Sequence, residues 1–169
     1  MARFDRQSKI GFIGAGTVGK SLAVALSRQG YQVVAAASRS YSSAEDLAGR
    51  VVGCVAYGTL DEATAASDVV FVTTPDDAIQ RTAGAVSWRA GQAAVHTSGA
   101  LSLDVLDAAT RAGATPGAFH PLQLFSSPEM GVESIPGTTF GIEGDAGMTA
   151  YLEEMALAIG GRPIVVKAE

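Results

Sequence analysis

Residues 8–19, SKIGFIGAGTVG, decide how this chain is read. Ile10 to Ile13 is a short apolar run with β-branched ends, followed by Gly14-x-Gly16-x-x-Gly19. Val18, Leu22, Val24, Ala25 and Leu26 then give the next stretch one buried face, until Gly30 stops it. The pattern is a strand, a tight turn and a helix start. Gly14 permits the sharp turn, Gly16 removes a side chain where backbone must approach a ligand, and Gly19 lets the helix pack closely on the strand. Such a turn seats a pyrophosphate on a helix N-terminus, with the amides around Thr17 and Val18 as donors.

Outward from this stretch, apolar strand-like runs alternate with helical segments, as in a parallel sheet covered on both faces. The spacing predicts strands at 9–13, 31–37, 52–56, 68–73, 92–96, 115–119, 138–142 and 163–167. Helices are predicted at 17–29, 43–50, 60–66, 76–85, 103–112 and 145–159. Ser43 and Ser102 read as N-caps, and Gly91, Gly113 and Gly160 as stops. The expected architecture is α/β: one doubly wound, mostly parallel Rossmann sheet of about eight strands over residues 1–169. The segment from Pro121 to Gly137 shows no periodicity and reads equally as a functional loop or a surface excursion.

The chain has 169 residues, 47% of them hydrophobic and 17% charged, which excludes disorder and makes one domain. A net charge of -5, with no block of Lys or Arg, disfavours a nucleic-acid partner. Cys54 is the sole cysteine, so neither an internal disulfide nor a thiolate metal cluster forms. With no long apolar span and no signal-peptide pattern, the expectation is a cytoplasmic protein with no membrane partner.

Ribose recognition is decided about twenty residues past the glycine turn, at the end of the second strand. An NAD site places Asp or Glu there. This chain has Ser38-Arg39-Ser40, a guanidinium flanked by hydroxyls, which suits the 2′-phosphate of NADP; the bland alternative is an exposed Arg in a serine-rich turn. NADP (NADPH) is therefore favoured over NAD. Thr73 and Thr74, at the end of the fourth strand, are placed to meet the cofactor's ribose, and Pro75 opens the next helix without wasting a donor. Asp76 and Asp77 read as well as helix-cap residues and are not assigned to the site.

The chemistry is expected past the fifth and sixth strands, where His96, Ser98, His120 and Gln123 fall at neighbouring strand ends. Hydride transfer needs a proton donor or polariser beside the reacting carbon, and an imidazole titrates near working pH. His96, Ser98 and His120 are the candidate catalytic residues. Two histidines without an acidic partner at ligand spacing leave a metal shell incomplete, so no metal is expected.

HTSGALS at 96–102 and FHPLQLF at 119–125, together with the glycine turn and Ser38-Arg39-Ser40, resemble the amino-terminal half of Rossmann-like proteins in the "domain of unknown function 2520" group. These are described as predicted NADP-dependent oxidoreductases, similar to pyrroline-5-carboxylate reductase and the 6-phosphogluconate/β-hydroxyacid dehydrogenase superfamily. The resemblance covers nearly the whole sequence. It implies hydride transfer between NADP(H) and a small carbonyl, hydroxy-acid or imine substrate. It also implies a helical carboxy-terminal domain, absent from this sequence, that closes the site and forms a homodimer. The alternative function is a non-catalytic NADP(H)-sensing domain.

Overall fold

The computed structural model describes residues 4–167. The glycine turn forms as the sequence reading requires: β1 (Lys9–Ile13) runs into the turn and α1 (Thr17–Arg28) leaves it. Gly14 sits at φ 91°, in the left-handed region, and a Cβ there would lie 2.8 Å from the Thr74 amide nitrogen. At Gly19 a Cβ would lie 2.6 Å from Thr73 Oγ1 and 2.7 Å from the Gly14 carbonyl oxygen, so the absence of a side chain sets how closely α1 approaches the sheet.

Six strands continue the parallel pattern: β1, β2 (Gln32–Ala37), β3 (Val55–Ala56), β4 (Val69–Val72), β5 (Ala93–His96) and β6 (Thr115–Pro121). They are followed by β7 (Thr139–Gly144) and β8 (Arg162–Val165). The sheet order is β3-β2-β1-β4-β5-β6-β7-β8. β6 and β7 pair antiparallel, and β8 runs parallel to β7, so the last two strands point against the first six. The expected α/β doubly wound, mostly parallel sheet of eight strands is the observed one.

β4 and β5 are buried along their whole length, which explains their continuous apolar sequences. On one face, α1, α2 (Tyr41–Gly49) and α7 (Ala146–Ala158) bury Leu22, Leu26, Leu47, Met148, Leu152 and Met155. Four phenylalanines, Phe12, Phe71, Phe119 and Phe140, cross the middle of this face with successive ring centroids 5.2, 6.1 and 4.6 Å apart. On the other face, α3 (Leu60–Ala65), α4 (Asp76–Ala85), and α5 (Asp107–Arg111) with the turn before it cover Ile13, Val70 and Val72 through Leu60, Ile79, Ala109 and Leu106.

Most strand ends move by one or two residues, and four differences go further or change a residue's role. β3 keeps only its last two expected residues, because the chain turns at Gly53 (φ 83°) and leaves Val52 fully exposed. The expected helix 103–112 divides into a 3-10 turn, Leu103–Leu106, and then α5. α2 begins two residues before Ser43, so Ser40 is its N-cap and Ser43 lies inside the helix. The aperiodic segment contains α6 (Pro128–Ser134), whose Ser127 side chain accepts from the Met130 amide at 3.2 Å. Among the described residues, no helix is long and apolar enough to cross a membrane.

Candidate functional site

Strand order reverses between β1 and β4, and the turns that follow them diverge to opposite faces of the sheet. The crevice at such a switch point, at the carboxyl ends of the strands, is where open α/β sheets bind ligands. A cleft of about 1180 Å³ opens there. Gly14 to Val18 line it from the glycine turn, Ser38, Arg39, Ser40 and Ser43 from the end of β2, and Thr73 to Asp77 from the end of β4. Gly19 does not line it; it is the packing contact described above.

The cleft end of α1 is built for an anion. Its N-cap, Gly16, has no side chain to cap the first amides, and no acidic residue lies in the first turn. Gly16 is exposed, and a Cβ there would meet nothing within 4 Å, so the backbone faces open cleft. Thr73 has a different task from its neighbour. Its hydroxyl donates to the Gly14 carbonyl at 2.6 Å, bracing the turn, whereas Thr74 Oγ1 is buried beside the cleft without a hydrogen-bond partner. A buried hydroxyl left unpaired is costly and is relieved by a bound partner. These features fit a dinucleotide: uncapped amides for a diphosphate, space at Gly16 for its approach, and an orphaned hydroxyl for a ribose.

Arg39 is exposed at the cleft's edge, and among the described residues it forms no ion pair. Ser40 Oγ lies 2.8 Å from Ser42 Oγ. Sequence reasoning missed Arg81, which reaches the same cleft from α4 together with Asp77, Ala78, Thr82 and Ala85. The i, i+4, i+8 spacing of residues 77, 81 and 85 was the available signal, because it places them on one stripe of the helix.

The two histidines part company. His96, the last residue of β5, is completely buried, and its Nδ1 accepts from the Ser98 amide at 3.1 Å. That acceptance places the ring proton on Nε2, which has no partner, and burial holds the imidazole's pKa below its ordinary value. His96 lines neither cavity described here. His120 is half-buried, and its Nδ1 lies 3.0 Å from the Thr97 carbonyl oxygen. The carbonyl can only accept, so Nδ1 carries the proton and the Nε2 lone pair is open. The His120 ring lies directly over Gly99, where a Cβ would collide with it.

Thr97 lines the large cleft, whereas Ser98, Gly99 and His120 line a second, smaller cavity of about 210 Å³. Ser98 Oγ accepts from the Ala100 amide at 3.2 Å. The structure therefore brings Ser98 and His120 together beside the turn that borders the main cleft, and leaves His96 behind them in the core. Gln123 is exposed and lines neither cavity.

A family model described as Rossmann-like domain matches residues 3–121. A search of curated proteins finds no match. Among solved structures, the chain is similar to a Bacteroides fragilis protein provisionally described as an NADP oxidoreductase. The identity is 26% and the TM-score 0.79, over 96% of this chain and 61% of that one. It shares its fold with a reductive aminase from Aspergillus terreus in complex with NADPH and ethyl-5-oxohexanoate, at 21% identity and a TM-score of 0.73, over 95% of this chain and 55% of that one. It shares it also with a pyrroline-5-carboxylate reductase from Coxiella burnetii, at 15% identity and a TM-score of 0.75, over 96% of this chain and 60% of that one. The chain spans less than two thirds of the length of each of these proteins.

Proposed function

The chain belongs to the Rossmann-like domain family, and from that premise we propose that it binds NADP(H) as the nucleotide-binding part of an oxidoreductase acting on a small molecule. The observation that carries this reading is the uncapped start of α1, facing open space at the point where strand order reverses. The solved relatives that bear NADP or NADPH in their descriptions support it.

In this reading the amides of Thr17 and Val18, presented beyond Gly14 and Gly16, hold the diphosphate, and Gly19 fixes the helix that carries them. Ser38, Arg39 and Ser40 hold the 2′-phosphate. With no carboxylate in Ser38-Arg39-Ser40 to grip a free 2′-hydroxyl, NAD binds more weakly. Thr74 turns its unpaired hydroxyl to a ribose, Thr73 braces the turn, and Pro75 sets the entry of α4.

The bound cofactor supplies or accepts a hydride. For an alcohol substrate, the His120 Nε2 lone pair takes the hydroxyl proton as hydride leaves carbon, giving the carbonyl and an imidazolium; in the reverse direction that imidazolium returns the proton to oxygen. Ser98 shares its cavity and orients the substrate. His96, assigned to catalysis from sequence, takes the supporting role of holding the Ser98 backbone. Activity of a longer protein, with a second part that closes the site and dimerises, belongs to the same proposal, as does a cytosolic setting.

Calorimetry tests it directly. NADP⁺ should bind the folded chain with a measurable heat and more tightly than NAD⁺. Arg39→Asp should weaken NADP⁺ by about ten- to a hundredfold, since it removes a charge-assisted phosphate contact and adds repulsion, while changing NAD⁺ little. Equal weakening of both moves the 2′-phosphate elsewhere, and no heat from either ends the reading.

A further inference from the structure

The smaller cavity carries a second inference, which rests on the oxidoreductase reading and names the chemistry of its substrate. The register of β6 and β7 sets its walls. His120 stands opposite Gly141 and Ala118 opposite Glu143, so His120 and Glu143 project from the same face of the sheet. They are diagonal neighbours, about 7–8 Å apart at the backbone and within reach of a shared small ligand. Gly141 leaves the gap between them. The remaining walls are apolar: Leu101, Leu122, Ile164 and Val166.

The charged group of the cavity is an anion. Glu143 is half-buried, and among the described residues it makes no ion pair and no side-chain hydrogen bond. No Lys or Arg lines the cavity. His120 has committed its Nδ1 proton to Thr97, which leaves the Nε2 lone pair, and Ser98 Oγ already accepts from a backbone amide. The cavity therefore offers two unpartnered acceptors, a carboxylate and an imidazole lone pair, and one neutral donor, the Ser98 hydroxyl, between hydrocarbon walls. A partly desolvated carboxylate without a counter-charge is unfavourable, and a cation relieves it. A carboxylate ligand would meet the repulsion of Glu143, with only the neutral Ser98 hydroxyl to donate to it and no cation to offset the charge.

We propose that this cavity is the substrate subsite and takes a small molecule bearing a protonated nitrogen, ammonium or iminium, on a short apolar skeleton. Glu143 supplies the counter-charge and His120 Nε2 accepts an N–H. Thr97 ties the subsite to the nucleotide cleft, because it lines the cleft and its carbonyl holds His120. Among the substrate classes that the resemblance allows, the subsite selects nitrogen compounds over hydroxy acids.

The test uses three ring probes on the isotopically labelled chain: pyrrolidine, which is cationic at neutral pH, tetrahydrofuran, its neutral isostere, and cyclopentanecarboxylate. Pyrrolidine should shift the His120 ring and the Gly99 and Gly141 amides saturably, and bind at least about tenfold tighter than tetrahydrofuran. Glu143→Gln should bring pyrrolidine down to the tetrahydrofuran level. Equal binding of pyrrolidine and tetrahydrofuran to the unmodified chain overturns the proposal without any variant, and so does preference for cyclopentanecarboxylate. NADP⁺ is titrated separately and read at the Gly14 and Gly16 amides. NADP⁺ binding without a pyrrolidine response defeats the subsite alone, whereas pyrrolidine binding without NADP⁺ upholds the subsite and defeats the cofactor assignment.

Discussion

At position 96 the chain puts an imidazole where water does not reach, with one nitrogen bonded to the Ser98 amide and the other unpaired. Burial favours the neutral ring, so the folded pKa lies below the unfolded value of about 6.5. Between the two values the unfolded chain binds more protons, so stability is complete above the unfolded pKa and is lost as pH falls toward the folded one. His96→Asn keeps an acceptor for Ser98 and removes the titration. The melting temperature of the parent should therefore fall more steeply than that of the variant between pH 7.5 and 5.5; parallel curves would place the titration elsewhere. The sequence showed that both histidines end strands, but not that they differ. β5 is buried on both faces, so no alternation of polar and apolar residues marks which way His96 points. β6 has one covered and one accessible face, and His120 alternates with buried Phe119.

At the scale of elements, α6 is where sequence reading failed for a definable reason. Its seven residues are too few for a helical period to show, and their stability comes from contacts made elsewhere in the chain. The one local signal is its start, where Ser127 caps the helix and Pro128 suits the first helical position. Gly131 lies against Ser21 of α1 so closely that a Cβ would overlap its hydroxyl, and Ser21 Oγ lies 3.3 Å from the Pro128 carbonyl oxygen. Arg50, the C-cap of α2, holds Glu129 at 2.7 Å and Asp46 at 3.2 Å, and Lys20 of α1 also binds Asp46. Gly131→Val should therefore lift α6 from α1, costing about 1–3 kcal/mol by overpacking. Hydrogen exchange should speed up at residues 128–135 and stay slow in β4 and β5. Unchanged protection across α6 would show that the close contact does not hold it. Of the longer helices, α1 was legible by its sustained apolar face, and α7 by an apolar, alanine-rich composition over thirteen residues.

Across the whole molecule, the phenylalanine row joins the parallel part of the sheet to its reversed edge. Phe119 touches Phe71 on one side and Phe140 on the other, and all three rings are completely buried. Phe119→Ala should cost about 3–5 kcal/mol, a large share of the roughly 5–15 kcal/mol typical of a folded domain. Urea denaturation should show a much lower midpoint with an unchanged slope; a loss under about 1 kcal/mol would mean that the rings repack around the gap. The fold class and the position of the main cleft were legible because the glycine turn, the helix and the strand spacing agree with one another. The Rossmann-like family model over residues 3–121 agrees with the fold that the resemblance implies. The reversal at β7 was not legible, since after so long a connection a parallel and an antiparallel strand present the same apolar run.

That reversal has one more effect. The pairing that sets Glu143 beside His120 also sets Ile142 against Phe119, so sliding β7 by a single residue would push the carboxylate into the aromatic core and turn Phe140 toward solvent. The connecting segment is free to lengthen or shorten in evolution, but the two strands cannot shift past each other. New ligand preferences in this protein must therefore arise by exchanging side chains at fixed addresses.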